Sequence, residues 1–455
     1  MKKILFFLTL AGIIFAQSKK DVKLIIYNQN FAVCNEIRII ELKEGKNEVI
    51  FTDIPKFIEP SSIQVLPLSL GKFSVIEQSF NYDVYTSDKL FSKNIGENVN
   101  IITKDGQLYT GTLLFYEQGN VGIETKDKIV VINKENLKEV SMAKTGIFIY
   151  KPQLKFIVQS DKKDIYRVLL KYITLNINWK ADYIGEYDEE KNNLNLVGYI
   201  TVDNKTGIDY ENVDLELIAG EVRKLVEYDA RKMAEVGVAA LRGAEMEIPS
   251  FEETPIFEYH RYTFIGKTDI KDEEVKQINF ITRNNINIEK KYVYDGAITR
   301  YYHYDNWRNL KFNEKVEVII EFKNEKEVLP AGKMKIFKNE KDGTIFIGEN
   351  RINHTPIGEK IKLSLGNAFD IKGERKVLNH ERISQQVYKD TYEIKIKNYK
   401  KEDIVVDVIE HLYSNWEIIE KTHDYEKVDA FTIKFPLKVK GNSEETVKYT
   451  VITRF

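Results

Sequence analysis

The sequence predicts an all-β protein: multiple antiparallel β-sandwich (Ig-like) domains, a small SH3-like barrel insert and a short helical linker. Three observations predict it. Aromatic residues make up 12% of the chain, with 26 Tyr and 24 Phe, types that suit half-buried pleated surfaces. Apolar and polar residues alternate in short runs, as where Ile394 and Ile396 sit between Glu393, Lys395 and Lys397, the pattern of a sheet with one wet face. Gly, Asn and Asp turn signals punctuate these runs along the chain.

The 455 residues exceed one typical core, so several domains are expected. Residues 1–16 read as a signal peptide and 17–89 as an N-terminal β domain. Residues 90–142 read as the small SH3-like or Sm-like barrel, and 143–225 with 251–325 as a central β-sandwich. Residues 226–250 read as a helical or flexible linker and 326–455 as a C-terminal β-sandwich. Lys plus Arg is 68 against 70 for Asp plus Glu, a net charge of -2. That balance, without any dense basic run, supplies no electrostatic reason to bind nucleic acid.

The first element is "MKKILFFLTLAGIIFAQS". Lys2 and Lys3 precede an apolar run from Ile4 to Phe15, closed by the small Ala16. The run is too short to cross a bilayer, and its order is that of a secretory signal. Export with cleavage near Ala16 is the expectation, to the periplasm or the cell exterior. No later stretch approaches the length of a transmembrane helix. Cys34 is the only cysteine, so no internal disulfide forms.

Strands follow, with turns at Asn28-Gln29-Asn30 and Glu44-Gly45-Lys46. From Leu90 to Met142, four or five short strands are expected. Asp105-Gly106 marks the sharpest hairpin there, and Gly111 marks a bend. A barrel of this kind often binds RNA, but the mixed charges offer no basic aromatic platform. Asn204-Lys205-Thr206 is formally a glycosylation triplet. In "YDARKMAEVGVAALRGAEME", Ala230, Met233, Ala234, Ala240, Leu241 and Ala244 fall at helical spacing. Gly237 and Gly243 each cost about 1 kcal/mol there, so a weak helix in a linker is expected. Beyond Pro255 the pattern is β to the end.

Three runs carry a resemblance: "DGTIFIGENRINHTPIGEKIKLSLGNAFDIKGERK", "FEYHRYTF" and "NWEIIEKTHDYEKVDAFTIKFPLKVKG". With Trp179, Ala181, Tyr183, Gly207 and Gly220 upstream, the chain from Ile165 onward resembles the bacterial domain of unknown function 4139 family. That domain is shared with mucoidy-inhibitor-like proteins, whose long coiled coil this sequence lacks. The resemblance implies an exported bacterial protein rich in β-sandwich and brings no catalytic residues. Its signature residues here are Trp179, Tyr183, Glu349, Arg351 and His354.

Chemistry-bearing motifs are sparse. The six histidines lie too far apart in sequence to form a local zinc pair, and one cysteine excludes a thiolate site; neither a metal nor a cofactor is expected. Gly266-Lys267-Thr268 ends like a phosphate loop, but Arg261 stands where its first glycine belongs. No serine-hydrolase elbow occurs. The best binding candidates are Tyr292, Tyr294, Tyr301, Tyr302 and Trp307, flat rings with polar tips suited to interfaces or sugars. "GENRINHTP" reads as a polar turn after a strand Thr344–Ile347. The expectation is therefore an exported, non-enzymatic envelope or extracellular interaction protein that meets an envelope protein or a glycan. The alternative is a secreted carbohydrate hydrolase with carboxylates drawn from separate strands.

Overall fold

Alternation builds the first strands. In Asp21–Tyr27, Val22, Leu24 and Ile26 are buried while their neighbours are not. Each such side chain contributes about 1.5–3 kcal/mol on burial. A computed structural model describes residues 13–15, 21–68, 73–81, 87–142, 151–220, 222–223, 251–296 and 312–455. The described residues are nearly all strand, in several antiparallel sheets. They fall into two compact units.

The first unit lies within Met1–Asn178, Asp203–Leu217 and Gly266–Glu274. In its main sheet, Asp21–Tyr27 pairs with Phe31–Leu42, which pairs with Asp164–Leu175, which pairs with Gln64–Pro67. The expected turn at Asn28–Asn30 joins the first two, with Asn30 at φ 63° and Tyr27 stacked on Phe31. A second sheet orders Ile13–Phe15, Gly45–Phe51, Gln153–Ser160 and Phe73–Asn81. Ile13–Phe15 runs parallel to its neighbour.

The third sheet of this unit lies in the region expected to be a barrel. Its order is Ile129–Asn133, Asn120–Glu124, Leu108–Glu117, Asn98–Thr103, Leu137–Met142. Asp105-Gly106 does make the tight turn, with Gly106 at φ 87°. The barrel does not close. A helical turn, Lys134–Asn136, carries the chain between the two outermost strands. It is tied by the Lys104 N–H to the Asn136 carbonyl at 2.8 Å and the Lys134 N–H to the Gly119 carbonyl at 2.7 Å. Those bonds dock the helical turn on the connections at Lys104 and Gly119, and Ile129 and Val131 stay exposed. A short helix, Ser87–Lys93, precedes this sheet and was not legible as one. It sets Phe91 into the small core beside Val99, Leu113 and Ile123.

The second unit lies within Trp179–Val202, Ile218–Ile265 and Val275–Phe455. One of its sheets orders Glu274–Asn287, Asn193–Asn204, Ile177–Asp188, Gly332–Glu340, Gly343–Ile352. The central pair is parallel, Ala181 facing Gly332. A Cβ at Gly332 would collide with the Ala181 carbonyl, so this close approach requires glycine. The core beneath includes Tyr183, Leu196, Phe322, Met334 and Leu363.

The other sheet has nine strands, from Asn415–Lys421 at one end to Glu426–Lys427 at the other. Lys360–Ser384 serves both cores: its first part pairs with Lys315–Lys323, its second with Val387–Asn398. The nine strands enclose Tyr294, Ile394, Val406, Phe435, Tyr449 and their neighbours.

"GENRINHTP" is corrected by the structure. The strand runs Gly343–Ile352, so Glu349, Asn350 and Arg351 pair with Lys335, Met334 and Lys333. A bulge near Ile347 shifts the polar residues along the ladder without ending it. Only the stretch after Ile352 is connection. The helical spacing at Tyr228–Glu247 lies outside the described residues.

Candidate functional site

Two of the five predicted binding residues, Tyr292 and Tyr294, lie among the described residues. Tyr292 is half-buried, with the Lys400 ammonium 5.2 Å from its ring centre and donating to its hydroxyl at 2.9 Å. Tyr294 is not on a surface: it is fully enclosed and donates to the Asn313 carbonyl at 2.6 Å. Alternation along Glu289–Asp295 turns that position inward, and burial raises its phenol pKa above the ordinary value. Tyr301, Tyr302 and Trp307 lie outside the described residues.

The signature residues do structural work. Trp179 is buried and donates to the Ile218 carbonyl at 3.1 Å. Tyr183 donates to the Pro330 carbonyl at 2.7 Å. Glu349 meets Lys333 at 3.2 Å. His354 accepts the Ala331 N–H at 3.1 Å through Nδ1. Arg351 is exposed. The triplet Asn204-Lys205-Thr206 is also structural. The Asn204 amide is buried and donates to the Ile208 and Ile270 carbonyls, which leaves no room for a glycan.

The buried charges are spent on one another. Alternation in Phe31–Leu42 turns Glu36 and Arg38 towards the core. Arg38 donates to Glu36 at 2.8 Å and to Asp53 at 2.7 Å; Tyr172 donates to Glu36 at 2.5 Å. Burial works to lower the Arg38 pKa, but Glu36 and Asp53 outweigh it and the net shift is upward. In the second unit Arg375 grips Glu410 with two nitrogens, the shorter bonds 2.8 and 2.9 Å. Its guanidinium lies 4.2 Å from the Tyr392 ring centre and 4.8 Å from that of Phe312. Tyr449 donates to Glu410 at 2.5 Å. His380 and Asp390 share a 2.5 Å hydrogen bond. Among the described residues no three His, Cys, Asp or Glu side chains are grouped to hold a metal ion.

Concavities among the described residues offer further candidate sites. In the first unit, a hollow of about 830 Å³ exposes Asp53, Asp209, Glu211 and Asp272 beside Lys56 and Lys151. Asp53 is already paired with Arg38, Asp209 accepts the Asp272 N–H and Asp272 accepts the Gly207 N–H, both at 2.8 Å. These carboxylates chiefly organise loop backbone.

Another concavity, in the second unit, gathers large rings. It is a groove of about 660 Å³ between Trp416 and Ile418 on one side and Tyr425, Lys427 and Phe431 on the other. The edge strand Asn415–Lys421 half-buries Trp416 and Ile418 against the nine-stranded core. Trp416 donates across the groove to the Ala430 carbonyl at 2.8 Å. Tyr425 stands edge-on to both Trp416 and Phe435. Asp429 accepts the Phe431 N–H at 2.7 Å, and that bond holds its carboxyl below the usual range. That bond holds the Phe431 backbone, and the residue is 54% exposed. A smaller hollow of about 400 Å³ continues past Phe431 to His411 and Thr432. Its lining sets apolar rings among polar and charged side chains such as Glu417 and Lys427, the mixture that ligand and peptide sites use. Sequence reading missed it, because Trp416, Tyr425 and Phe431 meet only where the ends of the sheet come together. The available signal was the pair Trp416 and Ile418 alternating within one of the quoted runs.

No protein-family model matches the chain, and no curated protein matches it.

Proposed function

We propose that the chain is a non-enzymatic interaction protein of the bacterial envelope or exterior, docking a partner in the Trp416–Phe431 groove. The groove carries this reading: large rings held rigidly, one of them exposed, are the usual anchors of a protein interface. The buried carboxylates point the same way, since Glu36, Asp390 and Glu410 are each committed to a partner within the core.

Export rests on the order of Lys2, Lys3, the Ile4–Phe15 run and Ala16. Cleavage there removes Ile13–Phe15 and leaves Gly45–Phe51 at the edge of its sheet. Kinship with the domain of unknown function 4139 family is likewise a proposal, supported by the quoted runs and by Trp179 and Tyr183. The hydrolase reading keeps one place, the hollow that exposes Asp53, Asp209, Glu211 and Asp272.

One experiment separates the two readings. Wild-type protein, Phe431→Ser and Glu211→Gln are compared for retention on isolated envelope fractions and for release of reducing sugar from envelope polysaccharide. The docking reading expects retention lost only in Phe431→Ser and no sugar released. Sugar release abolished by Glu211→Gln would establish the hydrolase instead.

A further inference from the structure

We propose that the groove takes an extended peptide segment by strand addition to Asn415–Lys421; this rests on the docking reading above and names its partner class. Three observations carry it. First, among the described residues, Asn415–Lys421 is paired on one side only, with Ser443–Arg454. Its other edge presents backbone N–H and C=O groups, a template for another strand. Second, the opposite end of the nine-strand path, Glu426–Lys427, borders the same groove. An added strand would lie between the two free ends of one sheet.

The third observation sets the partner's chemistry. A sugar would need an open ring face to stack on. The Lys427 ammonium sits 5.1 Å from the Trp416 ring centre, and that of Lys421 sits 5.3 Å from Tyr425. These ammonium groups crowd the two rings against a flat sugar, and the exposed Phe431 is left to meet a guest side chain. A strand alternates its side chains, so every second residue of the guest points into the space beside Phe431. Those residues are apolar, and the ones between them face water.

The register shift between Ile418 and Glu420 places a bulge at Ile419, and a bulge bends a strand away from further pairing. The straight edge is therefore Asn415–Ile418, about 13 Å of strand at 3.3 Å per residue. The guest is a short segment with two inward apolar residues.

A random heptapeptide library displayed on phage, selected on the full chain and counter-selected on Phe431→Ser, tests this. Melting curves for the variant check that it is folded, and Trp416→Phe serves as a second variant. The proposal expects enriched peptides with apolar residues at every second position. Methylating alternate backbone nitrogens of the best synthetic peptide should weaken binding at least ten-fold, while methylating the intervening ones changes it little. Peptides that depend on Phe431 yet ignore backbone methylation would overturn strand addition and leave the docking reading standing. Absence of any Phe431-dependent peptide would overturn strand addition, and loss of envelope retention in Phe431→Ser would still show separately that the groove docks something else.

Discussion

Asn324 donates its side-chain amide to the carbonyl of Thr355 at 3.0 Å, across 31 residues of sequence. The same buried amide reaches the carbonyls of Glu327 at 2.7 Å and Pro356 at 3.1 Å, while its oxygen accepts from Arg283 at 2.9 Å. The stretch that looks most like chemistry is thus pinned from below by one asparagine. Asn324→Ala removes these bonds at once, leaving the Thr355 carbonyl with only the Leu329 N–H at 3.0 Å and the buried Arg283 without this oxygen, a loss of about 2–3 kcal/mol. Urea titration measures it. His354→Ala should cost about 1 kcal/mol, and Arg351→Ala, with an exposed side chain, less than about 0.5 kcal/mol.

Glu410→Gln leaves the Arg375 guanidinium enclosed without its counter-charge. Breaking a buried pair from one side costs about 3–5 kcal/mol. Arg375→Met combined with Glu410→Leu should recover part of that loss, since two apolar side chains need no pairing while the buried Tyr449 hydroxyl loses Glu410 as its acceptor. A double-mutant cycle by thermal or chemical unfolding checks both statements.

Glu189 gives a pH signature. Lys290 at 2.6 Å and Lys338 at 2.8 Å lower its carboxyl from 4.5 to about 2. A depressed folded-state pKa means stability present above the unfolded value and lost as pH falls through the folded one, here between about 4.5 and 2. The side chain is 42% exposed, so solvent screening limits the contribution to about 1 kcal/mol or less. Wild type should exceed Glu189→Gln in stability at pH 7, and the difference should vanish near pH 2.

Export predicts a mature protein beginning at Gln17. Intact-mass measurement of protein recovered from the producing cell's envelope or medium tests it. A species retaining Met1 would contradict the export proposal.

The β class was legible because alternation and turn residues act locally. Val22, Leu24 and Ile26, or Ile394 and Ile396, announce their buried face by spacing alone. Barrel closure was not legible, because it depends on how the two outer strands of the sheet meet, which no local run of residues sets. The asparagines that fasten the loops were equally hidden. Asn204, Asn324 and Asn398 end or follow strands and resemble ordinary turn residues, yet each amide bonds carbonyls remote in sequence. The tyrosine cluster misled in part because aromatic density does not reveal facing, and Tyr294 points into the core. The groove needed the fold itself, since Trp416 and Phe431 become neighbours only at the ends of a rolled sheet.

The central claim is that Phe431 marks the docking surface. A photo-crosslinking amino acid placed at position 431 in the producing cell, with position 191 as an exposed control, tests it most directly. The account predicts a discrete crosslinked partner from position 431 and none from position 191. Crosslinks of equal yield from both positions, or none from 431, would contradict it.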